Sequence, residues 1–460
     1  METLQRTANR GSLATGYDID HSCKFEDMND EYLYRTNVSG TNTKTWTVSW
    51  WFKTTELGSI RGSYLEHWQG GVYGEATRAG IDQYDRLWVD VGGGDGNAGT
   101  LFRSLSTQLI RDVSAWYHIC IACDSTQSTE ADRLKVWLNG VEVTTWDQHQ
   151  IPTLNFASAI AGFGGIQMKW GSYDSTYHGY SGYLAECHYL DGVTAQNSDF
   201  GEFDEDTGIW KPKAYEGTIT SPSQFLEFKD GSDLGTATSG LDADYLENIS
   251  AADQATDTPT NNFATMNVLW GTNRMPLMSE GATEFGNNVN DYRYAPATMG
   301  VANGKWYWEI KPTVNGNTLV SGAGIASNQE TLFFYQTTGN FVYHYDGDRY
   351  VNGGASSFGA AWATNDIIGF AYDADNWTLT CYVNNSSQGN LLASQTDISS
   401  ELFIPYVYSF GTHTYQTNFG GYTTMSNTHT NTDGNGYGSF VYTPPSGYYA
   451  LCTKNLAEYG

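Results

Sequence analysis

One strand–turn–strand phrase occurs twice in this chain, once in each half, and it constrains the fold more than any other feature. Residues 116–119 (WYHI) are followed by residues 134–143 (LKVWLNGVEV), and residues 366–373 (DIIGFAYD) are followed by residues 379–385 (LTCYVNN). In both phrases the second run reaches an Asn-Gly or Asn-Asn pair, which tolerates the positive φ angles of a hairpin turn. The repetition predicts two β-sandwich modules in tandem, and modules of this kind usually bind a partner at their surface.

Length and composition agree with this prediction. The chain has 460 residues, which is enough for two sandwiches with their connections. Aromatic residues make up 15% of the chain, with 15 Trp and 32 Tyr, and 51 Gly are available for turns. Aromatic and β-branched runs separated by Gly, Asn and Asp are typical of all-β proteins. We therefore expect an all-β fold with no helix of useful length.

The charge of the chain disfavours two classes of partner, nucleic acid and anionic membranes. The formal net charge is −28, so phosphate groups of nucleic acid or of an anionic membrane would be repelled. No apolar stretch approaches the roughly 20 residues that a membrane span needs, and residues 1–17 contain no apolar signal-peptide core. We expect synthesis in a cytoplasm without a signal peptide and without a membrane span.

The six cysteines predict buried free thiols rather than a metal site. Cys120 and Cys123 have CxxC spacing, but they lie in an apolar run with no second CxxC or His pair nearby. Isolated cysteines in strand-like runs behave as small apolar side chains. Disulfides remain the open alternative.

Changes in pattern along the chain predict four segments. Residues 1–16 are polar and predict an N-terminal arm, which suggests attachment through this end. Residues 17–192 and 263–460 alternate as strands between turns, and each predicts one β module. Residues 193–262 largely lose the alternation but contain large aromatic residues that must pack somewhere, so we expect an ordered connector.

Both modules resemble known families, and the resemblance implies two concanavalin-A-like jelly rolls. The first module resembles laminin-G-like jelly rolls in residues 46–52, 116–119, 136–140 and 182–186. The second module resembles SPRY (B30.2) domains in residues 304–309, 366–369, 379–384 and 418–420.

The connector adds a third resemblance, to virion-associated proteins of marine tailed phages, in which this pair of modules occurs in fibre, spike and receptor-binding proteins. The residues that carry it are 198–204, 208–213, 228–232 and 257–265. The resemblance implies a virion location and other virion proteins of the tail or capsid as partners. It also implies a homo-oligomer, a trimer or higher.

Catalysis is not expected. Jelly-roll glycan hydrolases use a carboxylate pair about 5–5.5 Å apart, carried on a Glu-x-Asp-x-x-Glu strand. The nearest match is the run at residues 202–206, which lacks the final Glu and lies in the connector, so a solvated turn is the simpler interpretation. Glu186 is a single carboxylate in its strand, and His118 follows a Trp-Tyr pair, which is typical of a packed sheet histidine.

The laminin-G resemblance implies a Ca²⁺ ion at a loop rim, and we expect no other cofactor. Four aspartates in or beside turns are candidate ligands by composition: Asp95, Asp124, Asp132 and Asp191. Turn formation is the competing explanation for each of them, because Asp side chains commonly cap turns.

Carbohydrate binding is the preferred chemistry, because sugars offer hydroxyls to Asp and Asn and C–H faces to aromatic rings. The first module has the candidate loop residues Trp68, Tyr73, Trp170, Tyr173 and Tyr177, with Tyr180 beside them. The second has the candidates Asp346, Asp348, Arg349 and Tyr350, next to Tyr343 and Tyr345, which would share a strand face. The competing explanation is that these rings pack in the two cores.

The resemblance to virion-associated proteins, together with these residues, implies a non-enzymatic phage virion protein, in a tail fibre, a spike or a capsid-attached fibre. It would bind host surface polysaccharide or protein through loops of its β-sandwiches. The alternative is a structural decoration protein that stabilises the particle, and a glycan hydrolase is the third possibility.

Overall fold

The computed structural model divides the chain into two compact units, one within residues 14–260 and one within residues 261–460. Some side chains within strands are outside the description, namely those of residues 36, 61–69, 166–167, 245 and 315. The residues that the structure describes are 16–36, 42–58, 61–69, 76–93, 99–160, 166–171, 179–243, 245–269, 276–315, 320–327, 339–393 and 402–460.

The first unit is built from antiparallel strands in two large sheets and one small hairpin. Its strands are β1 (Ser22–Phe25), β2 (Tyr32–Thr36), β3 (Thr45–Thr54), β4 (Arg61–Gln69), β5 (Ala76–Asp82), β6 (Arg86–Gly92), β7 (Leu101–Leu109), β8 (Tyr117–Asp124), β9 (Leu134–Leu138), β10 (Val141–Glu142), β11 (Trp146–His149), β12 (Ile166–Trp170), β13 (Gly182–Asp191), β14 (Gly201–Phe203), β15 (Trp210–Pro212), β16 (Gln224–Leu226), β17 (Ser239–Gly240), β18 (Tyr245–Glu247) and β19 (Gln254–Ala255).

The nine-stranded sheet has the order β10-β9-β8-β3-β13-β1-β19, with β16 and β17 joined at β13, and the eight-stranded sheet has the order β11-β7-β6-β5-β4-β12-β2-β18. Strand β3 shows how alternation creates the core. Trp46, Val48 and Trp50 point into the core shared by the two sheets, as the period of two predicts, while Trp51 lies on the opposite face. The core is therefore the space between the two sheets.

The predicted connector is ordered and belongs to the first unit, because it supplies strands β14–β19. Two buried lysines hold its last part. The Lys24 ammonium lies 3.0 Å from a carboxylate oxygen of Asp253, and the Lys53 ammonium lies 2.7 Å from one of Asp257. Buried charges require close partners of opposite sign, so these pairs specify where the connector returns to the sheet.

The second unit has two antiparallel sheets and a short C-terminal helix. Its elements are β20 (Leu277–Ser279), β21 (Glu284–Asn287), β22 (Tyr292–Pro296), β23 (Lys305–Asn315), β24 (Val320–Ser327), β25 (Asn340–His344), β26 (Asp348–Val351), β27 (Gly354–Ser357), β28 (Ile368–Asp373), β29 (Thr378–Val383), β30 (Ser386–Leu392), β31 (Phe403–Phe410), β32 (His413–Asn418), β33 (Tyr449–Ala450) and α1 (Thr453–Tyr459).

Its eight-stranded sheet has the order β20-β21-β32-β23-β28-β29-β30, with β33 parallel to β23, and its six-stranded sheet has the order β22-β31-β24-β25-β26-β27. Trp306, Trp308 and Phe341 are among the buried residues between these sheets. Together with the first unit, this arrangement confirms the predicted all-β fold of two β-sandwiches.

The cysteines confirm the prediction of buried free thiols, because all six are buried and unbridged. Burial raises the pKa of Cys123 to about 12 and raises that of Cys120 further, so neither thiol is a nucleophile at neutral pH. Among the described residues, no helix has the length and apolar character to cross a membrane.

Candidate functional site

Each unit has one sheet whose outer face is covered by a later segment of the chain. In the first unit, Phe200 and Tyr215 of the connector pack on the outer face of the nine-stranded sheet. In the second unit, Phe440 and Cys452 pack with Tyr307 on the outer face of the eight-stranded sheet. These two faces are therefore occupied by the chain itself.

A buried carboxylate fastens the covering segment of the second unit. Glu309 is fully buried, and it accepts hydrogen bonds from the backbone N–H groups of Val441 and Tyr442, both at 2.8 Å. Asn418 and the Tyr307 hydroxyl also donate to it, both at 3.1 Å. Burial raises the pKa of Glu309 to about 7. Its role is structural, because its described partners belong to the sheet and to its cover.

The other sheet of the second unit has an outer face made of tyrosines from its own strands. We call it the tyrosine face, and its buried members Tyr294, Tyr406 and Tyr408 cluster with half-buried Tyr292 and Tyr350. These residues alternate with core positions along their strands, so the period of two sends them outward. The pattern Tyr-x-Tyr at residues 292–294 and 406–408 is the sequence signal that marks this face.

The rings of the tyrosine face form a continuous series of contacts across the sheet. Tyr292 and Tyr294 have ring centroids 6.1 Å apart, and Tyr294 and Tyr408 are also 6.1 Å apart. His344 continues the series, at 6.4 Å from Tyr408 and 5.4 Å from Tyr350. Contacts at these distances favour aromatic packing and hold each ring in a defined orientation.

Glycines in β24 make room for these rings. The register places Gly322 between Tyr408 and His344, and Gly324 between Tyr406 and Val342. A Cβ atom at Gly322 would lie 2.8 Å from Cε1 of Tyr408, which is too close for two carbon atoms. Gly322 is thus required for the Tyr408 ring to lie across the strand.

The centre of the tyrosine face is buried and its ends are accessible. Tyr408 and Tyr406 are 0% and 1% exposed, whereas Tyr292 and Tyr350 at the two ends are half-buried. Burial raises the pKa of both Tyr406 and Tyr408. The Tyr406 hydroxyl has no hydrogen-bond partner among the described residues. A ligand can reach the ends of this face, so the ends are the candidate binding positions.

One end is a compact group of rings and carboxylates, which we call the aromatic corner: His344, Tyr345, Asp346, Asp348 and Tyr350. The His344 ring lies 4.6 Å from the Tyr345 ring, and its Nδ1 atom lies 2.7 Å from Oδ1 of Asp346. The turn between β25 and β26 positions the group, because the Asp348 N–H donates to Asp346 at 3.0 Å. Asp346 is exposed, and both tyrosines are half-buried.

The members of the aromatic corner shift one another's pKa values. Burial, Asp346 and Asp348 raise the pKa of Tyr350, and burial, Asp346 and Tyr350 raise that of Tyr345. Partial burial by itself would raise the pKa of Asp346, but hydrogen bonds from His344 and the Asp348 N–H hold it below its ordinary value. At neutral pH the corner therefore presents a carboxylate beside two neutral phenols.

Two neighbouring candidates lie elsewhere. Arg349 alternates away from Tyr350 and donates to the backbone carbonyls of Asn390 and Leu391 in β30, at 3.2 and 3.3 Å. Tyr343 is a core residue whose hydroxyl donates to a backbone carbonyl. The structure therefore brings Asp346, Asp348 and Tyr350 together and places Arg349 between the two sheets.

The eight-stranded sheet of the first unit has a contrasting outer face, which carries a charge ladder: Lys169, Arg78, Asp90 and Arg103. Arg78 Nε donates to Asp90 at 3.0 Å, and Arg103 donates to both Asp90 oxygens at 2.7 Å. In register, Glu66 lies opposite both Lys169 and Arg78. Asp90 thus pairs with an arginine on each of its two neighbouring strands, which stabilises the sheet.

The first-module ligand candidates do not form a described cluster. Trp170 is buried in the core, where its Nε1 atom donates to Gln224 at 3.0 Å. Trp68 is in β4, paired with Gln167 and Ala76, and its side chain is outside the described part. The remaining three candidates, Tyr73, Tyr173 and Tyr177, lie outside the described residues.

The three candidate Ca²⁺ ligands that the structure describes have other partners. Asp124 accepts hydrogen bonds from Thr126 and Gln127, both at 2.6 Å, which is the pattern of a turn cap. Asp132 lies 3.7 Å from Lys135, and the described residues contain no group of three or more His, Cys, Asp or Glu able to hold a metal. Asp191 accepts from a tyrosine hydroxyl at 3.2 Å, and Asp95 lies outside the described residues.

The structure contains a serine–histidine pair that the sequence did not reveal. The histidine nitrogen that faces the serine is protonated, so it cannot act as a general base. His118 Nε2 lies 2.8 Å from Ser49 Oγ, and Trp210 Nε1 donates to His118 Nδ1 at 3.1 Å. Since Nδ1 accepts, the proton of the neutral ring is on Nε2 and points at the serine. Burial lowers the pKa of His118 to about 3, so this pair is structural.

A scan against protein-family models found no match, and a search of curated proteins found no relative. Among solved structures the chain is similar to the SPRY domain of human HERC1, with 17% identity over 30% of this chain and 89% of that one and a TM-score of 0.27. It is similar to a human SPRY domain, with 14% identity over 31% of this chain and 94% of that one and a TM-score of 0.26. It is also similar to the native heptameric SAP-like pentraxin of Limulus polyphemus, with 15% identity, 38% and 77% coverage and a TM-score of 0.28.

Proposed function

We propose that this chain is a non-enzymatic recognition protein that binds a surface glycan at the aromatic corner. The observation that carries the proposal is the pair of half-buried rings, Tyr345 and Tyr350, held against His344 beside Asp346 and Asp348. Aromatic rings accept the C–H faces of sugars, and carboxylates accept hydrogen bonds from sugar hydroxyls. The position on the edge of a packed sheet keeps these groups in place without a ligand, which lowers the entropic cost of binding.

We also propose that the protein is located on the virion of a tailed phage, where it contacts other tail or capsid proteins. The support for this location is the resemblance of connector residues 198–204 and 257–265 to virion-associated proteins. A symmetric oligomer would repeat a weak site and gain affinity through effective concentration. Host protein is the second class of target for the same surface.

The proposal that the chain is not an enzyme is supported by the positions of its conspicuous acids and bases. Glu202 and Asp204 both lie close to Lys211, at 3.3 and 3.5 Å, on the hairpin formed by β14 and β15. Glu186 is buried and accepts a hydrogen bond from the Tyr17 hydroxyl at 2.9 Å. These acids make structural contacts within the first unit.

Tyr350→Ala tests the glycan proposal on an array of bacterial surface glycans. We expect binding to weaken about tenfold or more, because an aromatic contact residue at the centre of an interface typically contributes over 1 kcal/mol. Tyr84→Ala is the matched control, since Tyr84 is a 58% exposed tyrosine in a turn of the other unit. Equal binding by the wild type and Tyr350→Ala would disprove the role of the corner.

Cryo-electron microscopy of purified phage particles, with antibody labelling of this chain, tests the virion proposal. Density at a tail tip or fibre supports receptor binding. Regular density across the capsid lattice would replace it with the decoration role, and absence from the particle would overturn the virion assignment.

A further inference from the structure

The charges around the aromatic corner indicate which class of glycan it accepts. The alternation of the strands determines which side chains share the tyrosine face with the corner. The described outward positions are Tyr292, Tyr294 and Pro296 in β22, Val320, Gly322, Gly324 and Ala326 in β24, Asn340, Val342 and His344 in β25, Asp348 and Tyr350 in β26, Ala355 and Ser357 in β27, and Ile404, Tyr406, Tyr408 and Phe410 in β31. Among these described positions, none is lysine or arginine.

The two arginines of these strands are directed elsewhere. Arg349 donates to backbone carbonyls of the other sheet. Arg293 alternates with Tyr292 and Tyr294, and its guanidinium lies 3.3 Å from Asp291. Neither guanidinium therefore faces the corner, where a bound anion would need it.

The corner itself carries negative charge. Asp346 is exposed, and its pKa is held below the ordinary value, so it is ionised at neutral pH. Asp348 accepts one hydrogen bond among the described residues, from the Ser357 hydroxyl at a long 3.3 Å. An ionised carboxylate is only an acceptor, so a ligand has to bring donors to it. The net charge of −28 adds a negative background potential.

We propose that the aromatic corner binds an uncharged saccharide and rejects acidic polysaccharides that carry uronate, sulfate or phosphate groups, an inference that rests on the proposed function. The sugar ring lies against Tyr350 and Tyr345, and its hydroxyls donate to Asp346 and Asp348. An acidic sugar places a like charge next to these carboxylates, and its repulsion weakens with added salt.

The test is a glycan array that contains neutral, acidic and amino-sugar polymers, probed with the full-length protein at low and at high salt. The variants are Tyr350→Ala, Asp348→Asn and the control Tyr84→Ala. We expect Tyr350-dependent binding to neutral glycans, with about a tenfold loss in Asp348→Asn, because an amide oxygen accepts a weaker hydrogen bond from a sugar hydroxyl than a carboxylate does. High salt should change neutral binding little.

The outcomes separate this inference from the proposed function. Tyr350-dependent binding mainly to acidic glycans would overturn the inference and leave glycan recognition standing. Strong preference for amino-sugar polymers, lost at high salt, would also overturn it, because the corner would then select cations. Absence of any Tyr350-dependent binding would overturn the proposed function and the inference together.

Discussion

Two outer sheet faces are formed by strand residues alone, and they stabilise their buried side chains by different contacts. In the first unit, Arg78 and Asp90 are 3% and 0% exposed, and Asp90 pairs with the arginines of both neighbouring strands. In the second unit, the tyrosine face buries Tyr406 and Tyr408 to the same degree and stabilises them by ring contacts.

The difference teaches where a ligand can bind. The charges of the ladder already pair with one another, so a ligand that bound there would have to break buried ion pairs. A series of aromatic rings ends with ring surface and hydroxyls that a sugar can use. For this reason we assign recognition to the end of the tyrosine face, at Tyr350, rather than to the ladder.

Asp90→Ala gives the largest expected effect and tests whether the ladder is structural. Its removal takes away the carboxylate that Arg78 and Arg103 share, so the free energy of unfolding should fall by about 3–5 kcal/mol. Urea denaturation measures the loss, and Asp132→Ala, at a 53% exposed aspartate, is the control that should change little. Unchanged stability together with lost glycan binding would move the ligand site to the ladder.

Arg349→Ala distinguishes a structural arginine from a ligand contact at the edge of the tyrosine face. Arg349 joins the six-stranded sheet to β30, and losing its charged hydrogen bonds should cost about 1.5–3 kcal/mol of stability. Binding to neutral glycans should stay within about twofold of the wild type. Arg111→Ala, at a 58% exposed arginine of the first unit, is the control that should change stability little. Tenfold weaker binding with normal stability would instead indicate that Arg349 contacts the ligand.

His188→Phe tests the covered face of the first unit, where the imidazole stacks on Phe225 at 4.0 Å. Burial lowers the pKa of His188 to about 3, whereas an exposed histidine titrates near about 6.5. Below about pH 6.5 the unfolded chain therefore binds one proton more than the folded chain. As the pH decreases below this value, the free energy of unfolding of the wild type should therefore fall relative to that of the variant, by about 1.4 kcal/mol per pH unit. An equal change in the free energy of unfolding of the two proteins between about pH 7 and about pH 5 would contradict this.

Tyr406→Phe gives the smallest expected effect and sharpens the contrast with the ladder. Its hydroxyl is buried without a partner among the described residues, so removal should leave stability within about 0.5 kcal/mol or raise it slightly. Thermal unfolding monitored by circular dichroism suffices for this comparison. A loss above about 1 kcal/mol would mean that the hydroxyl is bonded.

Much of the fold could be predicted because alternation is a local property. Trp46, Val48 and Trp50 share the core face of β3, as their spacing predicts. The spacing of Tyr343 and Tyr345 also suggested one shared face, but β25 ends at His344. Tyr345 therefore lies in the turn, where it reaches the corner while packing partly against the core.

The candidate site was only partly predictable. The compact patch at residues 346–350 was visible as an aromatic and polar turn, and three of its members do meet in the aromatic corner. Arg349 was not separable from them, because its partners in β30 lie about forty residues away along the chain. Tyr294 and Tyr408, which support the corner through His344, come from β22 and β31, and only the strand order brings them together.

The sequence by itself determined that the chain folds into two antiparallel β-sandwiches, because turn residues and period-two alternation act over a few neighbouring residues. Only the tertiary structure decided which face of each sheet is covered by the chain and which aromatic residues meet in one site. Those outcomes depend on strand order and on buried pairs such as Lys53 with Asp257, whose partners are far apart along the chain. Local patterns specify that two side chains share a face, whereas long-range register specifies what that face contacts.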